Sequence, residues 1–184
     1  MRKQPETSSS EPAERLCHYM SDEKTPLLLF DGHCNLCNAT VDTFLRLQKK
    51  YDTKDASGED MPPKLKFASL QSDPAQERLS AQGLSPDDFN QPDNPQEETV
   101  ILFAPDGTVH VRSSAILRAV ALVTPAWIAF FCIAILYLVP PFVRNTVYKQ
   151  VAKNRLRIFG KTDTCRMASP AEKRYFLPNK KKGS

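Results

Sequence analysis

The alternation of apolar and polar positions predicts short buried strands over the first two thirds of the chain. Residues 27–30 (LLLF) are wholly apolar and end at Asp31-Gly32, which is typical of a strand buried on both faces. Residues 64–70 alternate partly, and residues 99–103 (TVILF) form another apolar run. The predicted strands are 27–30, 64–70, 99–103 and 109–111, with the last two joined as a β-hairpin by the turn at 105–107.

Helical patterns lie between these strands. One face of a helix from about Asn35 to Lys50 carries a single stripe of residues: Cys37, Val41, Phe44, Leu45 and Gln48. Ser72-Asp73-Pro74 predicts the start of a second helix and Gly83 its end. Ser113 or Ser114 is the predicted N-cap of a third helix. The order of elements predicts an α/β fold, a mixed sheet with flanking helices.

The last third of the chain predicts a C-terminal helical extension. Its densest apolar part, 126–139, is bounded by prolines and is shorter than the roughly 20 residues of a membrane span. A helix buried in the core or in a partner's groove therefore fits best, with Trp127 in the core, and a span with a proline kink stays open. A last helix over 142–158 should present Val143, Val147 and Val151 on one side and end at Gly160.

Composition indicates one domain of ordinary size with polar ends. Hydrophobic residues are 41% and charged residues 25% of the 184, which excludes wholesale disorder and collagen-like structure. Residues 1–25 are polar and aperiodic and predict a disordered leader. We therefore expect one folded domain over 26–178 and a disordered basic tail over 179–184.

Charge is distributed unevenly along the chain. Residues 144–184 carry a net charge of +10, whereas residues 1–143 carry −6. The basic end predicts either a solvated helix face or weak contact of residues 126–158 with an anionic membrane, and nucleic acid is not an expected partner. The N-terminus has no apolar stretch typical of a secretory signal, so we expect a cytoplasmic location, with an organelle or membrane-associated one left open.

The strongest local signal is a Cys-x-x-Cys sequence, Cys34 to Cys37, where the first strand turns into a helix. Residues three apart share a helix face, so the two sulfurs can meet. The helix N-terminus favours thiolate at Cys34, which we expect to be exposed, and Cys37 lies on the buried stripe. Cys34 would attack a substrate disulfide and Cys37 would resolve the mixed disulfide, without metal or cofactor. This interpretation requires a sulfur that solvent can reach.

Three alternatives to redox chemistry stay open. The cysteines could be half of a zinc site completed by His33, Cys17, His18 or Cys165, although no second Cys-x-x-Cys exists. They could also be inert core residues, in a chain that acts as a membrane- or partner-docking module. Finally, Asp31 after an apolar strand could be the nucleophile of a haloacid-dehalogenase-type phosphatase, but position 33 is His where a second Asp is required.

The sequence around the cysteines resembles the DCC family of thiol-disulfide oxidoreductases. The resemblance continues through residues 65–72, 99–103 and 111–118 and ends with 154–161 and Cys165-Arg166. It implies a thioredoxin-like fold and protein-disulfide reductase activity, with a disulfide-bearing protein or small thiol as substrate and an external thiol reductant. The residues carried over from the family are Asp31, Cys34 and Cys37.

Three further residues around the motif have open roles. Asp31 would either relay protons and tune the thiol pKa or organise the loop through an Asx-type turn. His33 and Cys165 are possible auxiliary residues near the cysteine pair. Thioredoxins place a cis-proline before the strand that faces the cysteines, whereas this sequence has Glu97-Glu98 there. We therefore expect that clamp to be missing and the substrate range to be narrower.

Overall fold

The structure, a computed structural model, describes residues 25–51, 62–85, 100–160 and 168–178. Residues 1–24 of the predicted leader, which include Cys17, and the predicted tail lie outside these residues, and so does Cys165. A four-stranded sheet in the order β2-β1-β3-β4 is the centre of the fold. Its strands are β1 (Leu27–Phe30), β2 (Lys66–Ser69), β3 (Ile101–Phe103) and β4 (Val109–Val111).

Strand β1 lies inside the sheet, as its unbroken apolar run predicted. It pairs in parallel with β2 and antiparallel with β3, so the sheet is mixed. All four of its residues are buried, because alternate side chains enter two different cores. Leu28 and Phe30 contribute to the core that contains the cysteines, and Leu27 and Leu29 to the core under the other face.

Helices cover both faces of the sheet and extend beyond it. They are α1 (Asn35–Tyr51), α2 (Asp73–Ala81), α3 (Arg112–Val123), α4 (Ala126–Leu138) and α5 (Pro141–Phe159), followed by a 3₁₀ turn at Pro170–Tyr175. The buried residues of α1 are the five of the predicted stripe. This architecture confirms the predicted α/β class and is consistent with a thioredoxin-like fold.

The predicted N-cap of α3 is wrong. The helix begins at Arg112, which follows β4 in a left-handed conformation with φ of 55°, and no side chain caps it. Ser113 and Ser114 instead bond to α5: the Ser113 hydroxyl donates to Asn145 Oδ1 (2.7 Å), and Ser114 Oγ accepts from Arg144 Nη1 (3.1 Å). The two serines therefore join helices rather than starting one.

The prediction that 126–139 forms a core helix is also wrong. Of the residues of α4 only Cys132 is buried, and Trp127 is 65% exposed. Helix α4 is apolar on every side but packs mainly along α3, so the described residues leave most of its surface uncovered. No single described helix is long and apolar enough to span a membrane; α4 and α5 together meet the length and composition criteria, but they are bent by 112°.

Gln48 is a buried polar residue that fixes α1 to the sheet. Its side-chain amide donates to the Leu65 carbonyl and accepts from the Leu65 N–H, both at 3.0 Å. Both residues are fully buried, so this pair satisfies two backbone groups that water cannot reach. Gln48, at the polar end of the α1 stripe, therefore fixes the position of α1 relative to the residue that precedes β2.

We predict that Gln48→Ala lowers the free energy of unfolding by about 2 kcal/mol, because it leaves both Leu65 backbone groups buried without a partner. Urea unfolding measures this change. Gln76→Ala, at an exposed position of α2, is the matched control and should change stability by less than about 0.5 kcal/mol. Equal effects of the two substitutions would contradict the structural role of Gln48.

Candidate active site

The two cysteines lie where β1 passes into α1. Cys34 precedes the helix: its N–H bonds to the Asp31 carbonyl (3.3 Å) and its carbonyl accepts from the Asn38 N–H (3.0 Å). Cys37 follows in the first turn of α1. Both are free thiols, and the side chain and backbone N–H of Cys37 donate hydrogen bonds to the Cys34 sulfur. The close approach predicted from the three-residue spacing is therefore present.

The predicted exposure of Cys34 is wrong, because that residue has 0% of its surface exposed. Cys37, predicted to be shielded, is buried with 7% exposed. Cys34 belongs to a hydrophobic core cluster that also contains residues of β1, β3 and α3. Next to it, Asn35 donates through Nδ2 to the Phe159 carbonyl (2.9 Å) at the end of α5. The last turn of α5 therefore lies against the start of α1, which the local helix pattern could not indicate.

A buried arginine of α5 connects the cysteines to the end of β1. The Arg155 side chain, 3% exposed, donates through Nη1 to the Cys37 sulfur (3.2 Å). Its Nη2 lies 3.3 Å from Oδ2 of Asp31, and this second contact is a buried salt bridge. Carboxylate, guanidinium and thiol thus form a continuous polar chain inside an otherwise apolar core.

Asp31 also holds the loop that carries the cysteines. Its Oδ1 accepts from the His33 N–H (2.9 Å), which is the Asx-type turn considered from the sequence, and from Gln71 Nε2 (3.2 Å). Gln71 Oε1 in turn accepts from the Gly32 N–H (3.1 Å) and from the Ser69 hydroxyl. The loop is therefore bonded to the end of β2 as well as to Arg155. A proton-relay role of Asp31 stays a prediction.

Of the two predicted auxiliary residues, His33 lies within the part of the chain that the structure describes and Cys165 does not. His33 bonds to Asp31 through its backbone, and its side chain is exposed. Cys165 and the Glu97-Glu98 pair that replaces the expected cis-proline lie outside the described residues. Within the described ranges, no group of three or more His, Cys, Asp or Glu residues could hold a metal ion.

The pair divides into one acidic and one basic thiol. Hydrogen bonds from the Cys37 side chain and backbone, together with the charge of Arg155, lower the pKa of Cys34 to about 6, against burial and the Asp31 charge. The hydrogen bond to Cys34 and burial raise the pKa of Cys37 well above its ordinary value, which Arg155 partly offsets. At neutral pH the pair therefore holds one proton and one negative charge.

Access to the pair is through an apolar cavity of about 230 Å³ beside Cys37. The cavity is bounded by α1, β1, α3 and α5, and Val151, 49% exposed, is among the residues that line it. Cys37 belongs to the wall and Cys34 does not. The lining residues are Leu28, Phe30, Leu36, Cys37, Thr40, Val41, Val100, Ile116, Tyr148, Val151, Ala152 and Arg155.

Sequence reasoning missed Arg155, Gln71 and Tyr148 as residues of this site. Arg155 and Gln71 both lie in segments that carry the family resemblance, 154–161 and 65–72, and this was the only sequence signal that could have indicated them. Tyr148 lines the cavity, and its hydroxyl accepts the Val100 N–H (3.3 Å). Hydrophobic periodicity assigned no function to these polar residues because each depends on a contact between distant segments.

The fold and site define an α/β domain with a reduced Cys-x-x-Cys pair at a helix N-terminus. The family model described as DCC1-like thiol-disulfide oxidoreductase matches residues 28–161. The chain belongs to this family. It is 34% identical over 161 residues to the protein YuxK of Bacillus subtilis (strain 168), which is named as uncharacterized; the match covers 86% of this chain and 100% of that one.

A second relative carries the family name. A DCC family protein of Arabidopsis thaliana, described as chloroplastic, is 30% identical over 151 residues, which cover 81% of this chain and 73% of that protein. No solved structure is a significant match to the chain. The family membership supports a redox role for the cysteine pair, in agreement with the two adjacent free thiols.

We predict that Arg155→Met raises the pH at which the pair becomes reactive, because the guanidinium charge lowers the pKa of both thiols. The pH dependence of iodoacetamide alkylation, followed by mass spectrometry, should have its midpoint near pH 6 in the parent and move toward 9.0, the ordinary thiol value, in the variant. Asp31→Asn should move the midpoint the opposite way, because the carboxylate raises the pKa of both thiols.

Two controls separate charge from folding in this experiment. Arg155→Lys keeps the positive charge and should retain most of the shift, whereas Arg157→Met removes an exposed charge of the same helix and should leave the midpoint unchanged. A midpoint that is the same in Arg155→Met and Arg157→Met would contradict the role of the buried guanidinium.

Proposed function

We propose that the protein is a thiol-disulfide oxidoreductase of the protein-disulfide reductase type, in which Cys34 and Cys37 cycle between dithiol and disulfide. The observation that carries the proposal is the adjacency of two free thiols, one with a pKa of about 6, at the start of α1. A thiol of that pKa is largely thiolate at neutral pH, and thiolate is the species that attacks disulfides. Family membership supports the same chemistry.

The proposed reaction has two displacement steps. The Cys34 thiolate attacks a substrate disulfide, so that a mixed disulfide forms at Cys34 and one substrate thiolate leaves. Cys37 then loses its proton and attacks the Cys34 sulfur, which releases the second substrate thiolate and leaves the Cys34–Cys37 disulfide. Two electrons pass from the pair to the substrate, and an external thiol reductant returns them. The exchange itself uses no metal or organic cofactor.

The burial of Cys34 adds a condition to this mechanism. We propose that a disulfide on a protein reaches the Cys34 sulfur when the last turn of α5, which bonds to Asn35 beside that cysteine, separates from the start of α1. The Asn35–Phe159 hydrogen bond is exposed and lies beyond Arg155, whose bonds to Cys37 and Asp31 can stay in place, so opening this turn costs little compared with unfolding. A substrate that can open this contact would react in preference to disulfides that cannot open it. This agrees with the narrower substrate range expected from the sequence.

We predict that the two cysteine substitutions have different consequences. Pre-reduced parent protein, mixed with excess insulin or bis(2-hydroxyethyl) disulfide, should lose the mass of two hydrogen atoms within one turnover as the internal disulfide forms. Cys34→Ser should lose more than about 90% of the exchange rate, because it removes the thiolate. Cys37→Ser should accumulate a mixed disulfide at Cys34, since nothing resolves it.

Cys132→Ser is the control for this experiment, because Cys132 is a buried cysteine of α4, outside the site, and the variant should behave like the parent. Parent and both site variants reacting alike would contradict the proposed function. A mixed disulfide that accumulates only in Cys34→Ser would exchange the proposed roles of the two sulfurs while leaving the activity itself in place.

A second candidate function, docking on an anionic membrane surface, is favoured by the exposure of α4. Large apolar side chains on α4 and at the start of α5 are mostly exposed to solvent. Their exposed fractions are 65% for Trp127, 67% for Phe130, 58% for Phe131, 80% for Tyr137, 80% for Leu138 and 71% for Phe142. Exposed apolar patches of this kind mark interaction sites. Because α4 is bent away from α5 by 112°, it fits a helix that lies in the interface better than one that spans it.

Charge selects anionic lipid as the proposed occupant of this surface. Residues 107–162 contain eight Lys and Arg residues and no Asp or Glu. Lys149, Lys153 and Arg157 follow one another at four-residue intervals on α5, and all three are exposed. Such a stripe beside an apolar helix with Trp and Tyr is typical of peripheral attachment to anionic headgroups.

We predict that the full chain floats with vesicles of mixed phosphatidylcholine and phosphatidylserine in a density gradient and not with phosphatidylcholine alone. Phe130→Glu combined with Leu138→Glu should abolish flotation, because each places a charge in the apolar surface. Lys149→Gln combined with Lys153→Gln should weaken it and make it less sensitive to salt. A protein that stays at the bottom of the gradient at low salt would contradict lipid docking, and concentration-dependent dimers would assign the surface to a second copy.

A further inference from the structure

The cavity beside Cys37 has a shape and chemistry that the proposed reaction does not yet use. Its wall is apolar except near Thr40, Cys37, Tyr148 and Arg155, and the sulfur that it reaches is the one farther from the helix N-terminus. A dry cavity of about 150 Å³ can hold a benzene-sized molecule, so 230 Å³ is enough for one small apolar group but not for a loop of polypeptide.

The position of the cavity beside Cys37 matters for the reduction of a Cys34–Cys37 disulfide. A thiol attacks one sulfur of a disulfide and displaces the other, and displacement is faster when the leaving thiolate has a low pKa. When Cys37 is held in a mixed disulfide its thiol no longer donates to Cys34, but the Cys37 backbone N–H and the Arg155 charge still lower the pKa of Cys34 and favour it as the leaving thiolate. The sulfur that should be attacked is therefore Cys37, which is also the sulfur in the cavity wall.

Arg155 is placed to assist at the same sulfur. Its Nη1 lies 3.2 Å from the Cys37 sulfur, and its charge is already balanced by Asp31. A guanidinium at that position stabilises negative charge as it passes over the two sulfurs during displacement. Since Asp31 already pairs with this cation, the cavity gives no additional advantage to a charged thiol over a neutral apolar one.

We propose that a small thiol with an apolar substituent enters this cavity and reduces the Cys34–Cys37 disulfide by attack at Cys37. This inference rests on the proposed function, in which that disulfide forms. The attacking thiolate forms a bond to the Cys37 sulfur, the bond between the two cysteines breaks, and Cys34 leaves as thiolate. A second molecule of the same thiol then attacks the thiol-derived sulfur of the mixed disulfide and releases Cys37. Two small thiols become one small disulfide, and the pair gains the two electrons.

The test compares two thiols on the oxidised full-length protein. Reduction by phenylmethanethiol and by 2-mercaptoethanol is followed by quenching and mass spectrometry, and each rate is divided by the rate at which the same thiol reduces bis(2-hydroxyethyl) disulfide. In the parent protein the normalised rate should favour phenylmethanethiol by about tenfold, the gain expected from burying an aromatic ring.

A variant and its matched control locate the effect in the cavity. Val151→Trp should fill the cavity and reduce the preference to about one. Val147→Trp, one turn earlier on α5, 61% exposed and outside the cavity lining, should retain it. The mixed disulfide trapped while phenylmethanethiol reduces the oxidised parent protein should map to Cys37 and not to Cys34.

The outcomes separate this inference from the function on which it rests. If the parent protein forms no Cys34–Cys37 disulfide, the proposed function fails. If the disulfide forms and is reduced, but both thiols react equally, Val151→Trp changes nothing and the trapped mixed disulfide maps to Cys34, then the cavity proposal is overturned and the proposed function stands.

Discussion

One buried guanidinium connects the parts of this molecule that matter for its chemistry. Arg155, near the end of the last long helix, contacts the carboxylate that follows the first strand and the thiol in the first turn of the first helix. Transferring an arginine and an aspartate from water to the interior is costly, and pairing returns only part of that cost. Such a group is therefore weak evidence for stability, and its value to this protein lies in the position and charge that it gives to the cysteine pair.

The same contact explains how two buried thiols can still be reactive. In an apolar core a lone thiolate is unfavourable, and burial alone would raise the pKa of both cysteines. Here one sulfur donates a hydrogen bond to the other, and the nearby cation compensates the remaining charge. The pair thus carries one negative charge, which the two sulfurs share, and both cysteines are buried. In the proposed function, each sulfur is reached by its own route: Cys34 after the end of α5 separates from α1, and Cys37 through the apolar cavity.

How much could be predicted from the sequence depended on how local the determining interactions are. The strands and the buried face of α1 follow from side-chain periodicity, and all five residues of that face are buried as expected. Gln48 was placed correctly at the polar end of the stripe, although its bonds to Leu65 were not foreseen. Each of these features is set by residues within one element or by the apolar face of a sheet.

The errors came from contacts between distant segments. Cys34 should be exposed if α1 is considered alone, and it is instead part of a hydrophobic core to which several distant segments contribute. The apolar run 126–139 should be a core helix if apolar composition alone decides burial. It is exposed because α4 packs mainly against α3 and turns away from α5. Composition predicts that a segment avoids water but does not predict which surface, inside or outside the chain, will cover it.

Helix α5 takes part in both the proposed redox exchange and the proposed membrane docking, so a change in one should affect the other. One face carries Arg155 and Ala152 toward the cysteines and the cavity, and another carries exposed lysines and Arg157. The final turn bonds to Asn35 beside Cys34, and the first turns follow the apolar α4. A lipid surface that binds the basic face would hold the helix by the side opposite to its redox contacts. Attachment would then constrain the segment that must separate from α1 before a protein disulfide can reach Cys34, while the cavity beside Cys37 would remain a separate entrance for a small thiol.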